Sequence, residues 1–303
     1  MPEPVASRRI RITEVGPRDG LQNESKIVPT ETKIRLVDAL SAAGFPEIET
    51  SSFVHPRWVP QLADAAEVFA GIDRRDGILY SALVPNVQGL ERAVEAGVSK
   101  VSVFTAASES FCRKNINADI EESVERFRPV IESAMEMGLP VRGYVSCIVE
   151  CPYEGTVSPS AVSEVVARLL DLGPMEIDLG ETLGVASPDQ IEEVLAACVT
   201  RMPLSDICLH LHDTHGHALD SVERAVGLGV NRFDSACGGL GGCPYAPGAA
   251  GNLATERLLA LCEKRGWETG VDQAMVSTAT SVVREALTGD GSSTTDSGST
   301  DTD

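Results

Sequence analysis

The chain has 303 residues, of which 43% are hydrophobic, and a formal net charge of −20 at pH 7. This length fits one large barrel-type domain or two ordinary domains, with enough apolar residues for a sizeable core. The negative charge argues against nucleic acid or an anionic membrane as a partner, and no apolar run in the sequence is long enough to cross a membrane.

The sequence also indicates the cellular compartment of the protein. The first eleven residues contain no apolar segment of the signal-peptide type, so we expect a cytoplasmic protein. Five lysines against twenty arginines, among many carboxylates, are typical of a proteome adapted to high salt, where ions screen the repulsion. The eight cysteines do not have the context of a disulfide framework.

Short β-branched runs alternate with longer amphipathic stretches, which is the pattern of βα units. Strands are predicted at 9–15, 47–50, 78–83, 101–105, 141–147, 176–179, 207–211 and 232–236. The helix after each strand is predicted, in the same order, at 30–43, 59–70, 87–96, 120–137, 160–172, 188–199, 218–228 and 253–264.

Eight uninterrupted βα units predict a single (β/α)8 TIM barrel. The alternative, an open doubly wound sheet, usually carries a glycine-rich phosphate turn after its first strand, and Gly16-Pro-Arg-Asp-Gly20 does not match that fingerprint. One further helix, at 271–287, is predicted to pack outside the barrel. After Gly289 only Gly, Ser, Thr and Asp occur, so we expect a catalytic domain at 1–288 and a disordered acidic tail at 289–303.

Four of the five histidines lie within eight positions, at 210, 212, 215 and 217. On the predicted strand at 207–211, side chains two residues apart point to the same side, so His210 and His212 project their imidazoles together. Paired neutral imidazoles beside a carboxylate are typical ligands of a divalent metal. A hydrogen-bonded pair of core histidines is the alternative. His215 and His217 are expected near the start of the next helix, without a catalytic role.

Polar side chains gather where the predicted strands end. In a TIM barrel the chemistry lies at the carboxyl ends of the strands. The side chains found there, or in the loops that follow, are Arg18, Asp19, Glu49, Glu181, His210, His212, Asp213, Cys243 and Asn252. Their convergence predicts an active site on that face of the barrel.

Asp19 offers the anionic ligand that a histidine pair needs, and Asn252 offers an amide oxygen. Mixed oxygen and nitrogen ligands without thiolate favour Mg2+ or Mn2+ over a structural Zn2+. Each residue also has a simpler interpretation, since Asp19 fits a turn and Asn252 fits the N-cap of the following helix.

Cys243 lies in a loop with six glycines between Gly238 and Gly251. Such a loop can close over a ligand, and its thiol can act as a nucleophile or a general acid. A chance cysteine in a flexible loop is the alternative.

These motifs resemble the 3-hydroxy-3-methylglutaryl-CoA lyase family over nearly the whole chain up to the tail. The segments that carry the resemblance start at Glu14-Val-Gly-Pro-Arg-Asp-Gly, Thr50-Ser-Ser-Phe-Val, Arg142-Gly-Tyr-Val-Ser-Cys, Cys151-Pro-Tyr-Glu-Gly, His210-Leu-His-Asp-Thr and Gly239-Leu-Gly-Gly-Cys-Pro-Tyr-Ala-Pro-Gly. The Cys-Pro-Tyr-Ala loop is the specific element. The Arg-Asp-Gly and His-x-His segments are shared with isopropylmalate, citramalate and homocitrate synthases and with pyruvate-type aldolases and carboxyltransferases.

The resemblance implies a role for each matching residue. It implies metal ligation by Asp19, His210, His212 and Asn252, and substrate and enolate binding by Arg18. It implies catalytic roles for Cys243, Glu49 and Glu181, although Glu181 stands where the family commonly has Asp. His215 and His217 replace the usual Tyr and Gln of the family.

The reaction that the resemblance implies is the retro-Claisen cleavage of hydroxymethylglutaryl-CoA to acetoacetate and acetyl-CoA, as in leucine degradation. It implies Mg2+ or Mn2+ as the cofactor, an acyl-CoA as the substrate and a homodimer as the assembly. Asp19 and His210 both remain candidates for the base. Alternatives are a lyase for a related 3-hydroxyacyl-CoA such as citramalyl-CoA, a Claisen-condensing synthase of the isopropylmalate or citramalate type, and a barrel that only binds ligand.

Overall fold

The computed structural model describes residues 8–173, 175–241 and 251–289. The strands are β1 (Arg11–Glu14), β2 (Glu47–Ser52), β3 (Leu79–Leu83), β4 (Lys100–Ala106), β5 (Val141–Ser146), β6 (Glu150–Cys151), β7 (Gly155–Thr156), β8 (Glu176–Glu181), β9 (Ile207–Leu211) and β10 (Arg232–Ser235). The α-helices are α1 (Thr30–Ala43), α2 (Ala65–Gly71), α3 (Val87–Glu95), α4 (Glu109–Ile116), α5 (Ile120–Glu136), α6 (Pro159–Leu170), α7 (Pro188–Cys198), α8 (Ala218–Leu228), α9 (Thr255–Arg265) and α10 (Gln273–Thr288).

Eight of these strands close into a parallel barrel in the order β1-β10-β9-β8-β5-β4-β3-β2. Closure is made by β1, which pairs with β10 on one side and with β2 on the other. The helices surround the barrel because each presents an apolar stripe to the outward-facing side chains of the strands. The predicted (β/α)8 TIM barrel is therefore confirmed.

Local sequence signals explain why the helices begin and end where they do. Asp119 starts α5 with a capping box to Glu122, in which each side chain bonds the backbone of the other. Gly44 ends α1 with a φ of 87°, a left-handed conformation that favours glycine. These signals lie in the sequence itself, and the start of α5 and the end of α1 agree with the prediction.

The lower half of the barrel interior contains charged side chains rather than a purely apolar core. Lys100 bonds Glu47 at 2.8 Å and Glu176 at 2.9 Å, and the buried Arg142 bonds Glu176 at 2.5 Å and Asp234 at 2.9 Å. Buried charges are tolerated when they are paired in this way. This ion layer, which also includes Arg232, lies beneath the carboxyl ends of the strands.

Several features differ from the sequence prediction. The second helix, predicted at 59–70, begins only at Ala65, after a separate 3-10 turn at Pro60–Leu62. Helix α4 was not predicted, because its eight residues are largely polar and its start depends on one capping bond, from Phe111 N–H to Ser108 Oγ at 3.1 Å. The hairpin β6–β7 was not predicted either, because each of its strands has only two residues. The last barrel helix starts at Thr255 rather than at 253.

The additional C-terminal helix is confirmed as α10, which packs against α1 outside the barrel. Its start is fixed to the end of α1 by a hydrogen bond from Asp272 N–H to the Ala43 carbonyl at 2.8 Å. The predicted acidic tail after Gly289 lies outside the described residues. In the part of the chain that the structure describes, no helix is both long and apolar enough to span a bilayer.

Candidate active site and metal centre

The chain leaves β1 in a single π-helical turn, Gly16–Gly20. The N–H groups of Asp19 and Gly20 both bond the Val15 carbonyl, at 2.8 and 3.1 Å. A Cβ on Gly16 would lie 2.6 Å from Glu14 Oε1, so the turn requires glycine there. Such turns are frequent at functional sites, and this one places Asp19 and its neighbour Arg18 at the carboxyl end of the barrel.

Glu14 anchors the base of this turn from inside the protein. Its Oε1 accepts hydrogen bonds from the backbone N–H of Gly16 and of Cys237, each at 2.8 Å, and its Oε2 accepts one from Thr255 Oγ1 at 2.7 Å. The same carboxylate therefore joins the turn after β1 to the segment after β10 and to the start of α9.

Arg18 is buried and lies between two carboxylates. Its Nε and Nη2 each lie 2.5 Å from Glu49 Oε2, and its Nη1 lies 2.6 Å from Asp19 Oδ1. Its guanidinium also stacks 5.1 Å from the ring centre of Tyr144. Burial alone would lower the pKa of Arg18, but the charges of Glu49 and Asp19 outweigh it and raise that pKa. Arg18 is a fixed cation at this site.

Glu49 is fully buried, and each of its oxygens has a partner. Ser102 Oγ donates to Oε1 at 2.9 Å, while Tyr144 donates from its hydroxyl to Oε2 at 3.0 Å, next to Arg18. With these partners, Glu49 serves to orient the arginine.

His210 and His212 project together, as the alternation of the strand predicts, with ring centres 5.4 Å apart. The Nε2 atom of His210 lies 3.9 Å from Asp19 Oδ2. One ligand atom each from Asp19, His210 and His212 can be chosen so that all lie within 4.8 Å of one another. The structure thus brings together three of the four predicted metal ligands with the spacing that a single cation requires.

Asn252 lies beside this cluster through a backbone bridge to His212. Its Nδ2 donates to Asp19 Oδ2 at 2.9 Å and to the Leu240 carbonyl at 3.0 Å. Its Oδ1 and the His212 Nδ1 are buried atoms without a hydrogen-bond partner among the described residues. An unsatisfied amide oxygen and an unsatisfied imidazole nitrogen beside a carboxylate fit a bound divalent cation. The alternative of an N-cap is wrong, because α9 begins at Thr255 with Ala254 at its N-cap position.

The electrostatics of the pair favour a positive charge at His210. Burial alone would lower the pKa of His210, but the hydrogen bond to Asp234 and the charges of Asp19 and Asp234 raise it to about 9. Burial and the neighbouring His210 lower the pKa of His212 to about 4, so that its imidazole is neutral at neutral pH. The carboxylates around His210 therefore create a site that prefers a cation.

Two functional side chains escaped the sequence analysis. Asp234 accepts a hydrogen bond from, or donates one to, His210 Nδ1 at 3.2 Å, depending on the tautomer and protonation of the pair, and Tyr144 lies between Glu49 and Asp234. Both residues stand at inward-facing positions of their strands. For Asp234 the available signal was a carboxylate inside a predicted barrel strand, two residues before the apolar Ala236.

Of the remaining candidates, Glu181 adjoins the cluster through its backbone, since its carbonyl accepts a hydrogen bond from His212 N–H at 3.3 Å. Glu181 is buried and accepts a hydrogen bond from Val185 N–H at 3.3 Å, so it anchors the loop after β8; burial raises its pKa to about 7. His215 and His217 are exposed, just before α8. Cys243 lies outside the described residues.

Comparison with known proteins agrees with the family resemblance seen in the sequence. The HMGL-like family profile matches residues 9–283. The mitochondrial hydroxymethylglutaryl-CoA lyase of Gallus gallus is 50% identical over 274 residues, which cover 90% of this chain and 92% of the relative. The solved hydroxymethylglutaryl-CoA lyase of Pseudomonas aeruginosa has 46% identity and a TM-score of 0.91, with 94% of this chain and 95% of that chain covered.

A solved HMG-CoA lyase of Acinetobacter baumannii, in complex with coenzyme A and 3-methylmalate, has 38% identity and a TM-score of 0.87. The match covers 92% of this chain and 91% of that chain. With a family profile that matches most of the chain and a relative at half identity over nearly all of it, this chain belongs to the HMGL-like family.

Proposed function

We propose that this protein cleaves 3-hydroxy-3-methylglutaryl-CoA to acetoacetate and acetyl-CoA, with a divalent cation, Mg2+ or Mn2+, as cofactor. One observation carries the proposal: a carboxylate, two imidazoles and an unsatisfied amide oxygen lie together beside a buried arginine. The named activity of the relatives at about half identity agrees with it.

Asp19, His210, His212 and Asn252 would hold the cation. When bound, such a cation acts as a Lewis acid that lowers the pKa of a coordinated hydroxyl and orients the substrate. Oxygen and nitrogen donors without thiolate fit Mg2+ or Mn2+.

The side chains of this protein would then carry the proton and the developing charge. The proton of the tertiary hydroxyl would pass to Asp19, because Asp234 occupies Nδ1 of His210 and the cation would occupy its Nε2. As the C–C bond breaks, the hydroxyl carbon becomes the ketone of acetoacetate and the bonding electrons pass to an acetyl-CoA enolate. Arg18 is a buried, permanent cation and would stabilise the enolate oxygen.

Cys243 is the proposed donor of the proton that converts the enolate to acetyl-CoA. A thiol with an ordinary pKa of about 8.5 is mostly protonated at neutral pH and is therefore a competent acid. We expect Cys243→Ser to lower turnover by orders of magnitude and to leave the affinity for Mn2+ unchanged. Turnover near that of the wild type would remove Cys243 from the mechanism.

The two glutamates take supporting roles in this proposal. Glu49 holds the guanidinium of Arg18 in place through its Oε2. Glu181 fixes the backbone of the loop after β8, at the rim of the site. A direct catalytic role for Glu181 stays a prediction from the family resemblance.

A second candidate substrate is a related 3-hydroxyacyl-CoA such as citramalyl-CoA. The relative from Acinetobacter baumannii is solved with coenzyme A and 3-methylmalate, a methyl-substituted hydroxy diacid, which supports testing a citramalyl-type thioester. The same metal and arginine would act on either thioester, so the choice depends on the acyl pocket.

The test is a coupled assay for acetyl-CoA release from hydroxymethylglutaryl-CoA in high salt. EDTA should abolish cleavage, and added Mg2+ or Mn2+ should restore it. Cleavage that persists in excess EDTA would refute the metal-dependent mechanism. No cleavage by a metal-loaded protein would refute the substrate assignment, and citramalyl-CoA would be assayed next.

We also propose a cytoplasmic homodimer. The cysteines in the described residues are free and buried, which fits a reducing compartment. Sedimentation velocity in high salt tests the assembly: a species of one chain mass at micromolar concentration would contradict the dimer.

A further inference from the structure

One buried hydroxyl lies between the two charged halves of the site. The Tyr144 hydroxyl is 3.0 Å from Glu49 Oε2 and 3.4 Å from Asp234 Oδ2. A phenol has a single proton to donate, and all three side chains are buried. The hydroxyl therefore contacts two carboxylates at once and fixes their separation.

Each of these two carboxylates bonds a different side chain of the proposed active site. Glu49 binds Arg18, which would stabilise the enolate, at 2.5 Å. Asp234 binds His210 Nδ1 at 3.2 Å. The Tyr144 ring itself packs under the Arg18 guanidinium and meets the His210 ring edge-on, with ring centres 6.4 Å apart.

Asp234 is itself fixed from below. Arg142 donates to Asp234 Oδ1 at 2.9 Å and is held in turn by Glu176 at 2.5 Å and by Thr13 Oγ1 at 2.8 Å. With Oδ1 on Arg142 and Oδ2 on His210, the carboxylate has no freedom to rotate. The imidazole is consequently oriented with its Nε2 atom toward Asp19.

We propose that Asp234 and Tyr144 are positioning residues of the active site, Asp234 for the metal ligand His210 and Tyr144 for Arg18 through Glu49. The inference rests on the proposed function for its catalytic readout only. A carboxylate on the second nitrogen of a metal-binding imidazole fixes the ring orientation and strengthens the ligand. Tyr144 connects the Asp234–His210 pair to the Glu49–Arg18 pair, so one continuous chain of contacts runs from Arg142 to Arg18.

The first experiment measures Mn2+ binding to the substrate-free protein by electron paramagnetic resonance. Asp234→Asn keeps the shape of the side chain, and we expect a Kd about 10- to 100-fold weaker, the usual effect of losing such a partner. The matched control is Glu47→Gln, which removes an equally buried carboxylate that lies 3.7 Å from the same Arg142. We expect its Kd to stay within about threefold of the wild type, well below the loss of the first variant.

Tyr144→Phe keeps the ring and removes only the hydroxyl. We expect unchanged Mn2+ affinity, a kcat about tenfold lower and a nearly unchanged KM, because a loosened arginine acts on the transition state more than on the bound substrate. A merely structural role would instead lower the thermal midpoint and change all three quantities together.

Either of two results would overturn the inference. One is wild-type Mn2+ affinity in folded Asp234→Asn, and the other is wild-type kcat in Tyr144→Phe. If Asp234→Asn does not fold, Asp234→Glu retains the charge but displaces it by a methylene, and it should weaken Mn2+ binding with a folded circular-dichroism spectrum. Because binding is measured without substrate, an error in the substrate assignment leaves the Asp234 result interpretable.

Discussion

Replacing Glu49 by Gln tests how the arginine of the site is held. The change preserves the volume of the side chain but removes the charge that faces Nε and Nη2 of Arg18 at 2.5 Å. Breaking a buried ion pair costs about 3–5 kcal/mol. Arg18 keeps a second carboxylate, Asp19, at 2.6 Å, so we expect the lower end of that range. That cost applies to folding; for catalysis, a displaced donor to a developing oxyanion loses roughly a hundredfold in rate.

The assay is acetyl-CoA release at saturating Mg2+, with thermal melting as a check on folding. We expect kcat/KM of Glu49→Gln to fall about a hundredfold, mostly through kcat. The matched control is Ser102→Ala, which removes a single hydrogen bond to the other oxygen of Glu49 and should cost about 1 kcal/mol, or fivefold. Activity of the Gln variant within threefold of the wild type, or equal losses in both variants, would refute the reasoning.

Three further predictions concern the framework of the site. Gly20→Ala would place a Cβ 2.7 Å from Leu240 Cβ and would displace the turn that carries Asp19. We therefore expect a lower thermal midpoint and weaker Mn2+ binding, and a wild-type Kd for Mn2+ would contradict this prediction. Glu14→Ala leaves the buried N–H groups of Gly16 and Cys237 without their acceptor, so urea unfolding should show a loss of about 2 kcal/mol or more, and no loss would refute the anchoring role. Burial favours neutral Glu176, but the neighbouring arginines and lysine hold its pKa at about 2. Because folding lowers the pKa of Glu176, the stabilisation from its ion pairs is fully present above the pKa of the unfolded chain. It is lost as the pH falls from about 5 to 2, by on the order of 3 kcal/mol. Urea midpoints that do not fall over this pH range would contradict the prediction.

The sequence predicted the barrel and the grouping of Asp19, His210 and His212, because both depend on local patterns. His210 and His212 are two residues apart on one strand, so their common direction follows from strand geometry alone. Asp19 and Asn252 are distant in sequence, but each comes just after a barrel strand or its loop, where the fold brings such residues to one face. A periodic strand pattern and one topological rule were therefore sufficient for these ligands.

The supporting contacts were not predictable in the same way, because they pair residues across the barrel. Asp234 bonds Arg142, which is 92 residues away in sequence, and no local pattern encodes that distance. A single carboxylate in a predicted strand fits equally well with a solvent-exposed edge position or with a strand placed one residue out of register. The π-helical turn that carries Arg18 and Asp19 also has no sequence signature beyond its glycines.

The ion layer of the barrel holds the part of the site that lies on the strands, because its member Asp234 bonds His210. Burial and the charge of Asp234 raise the pKa of Asp178 well above its usual value, so this acid is held neutral. The other three carboxylates then balance three cations within the layer. These six side chains are Glu47, Glu176, Asp234, Lys100, Arg142 and Arg232.

The preference for a cation at His210 arises from the carboxylates nearest to it, Asp19 above the layer and Asp234 within it. Asp234 connects the layer to His210, since one oxygen pairs with Arg142 and the other with His210. The orientation of the imidazole is therefore set by the closed barrel. Loops at the rim, such as the one that Glu181 anchors, can change the acyl pocket while His210 on β9 keeps its orientation.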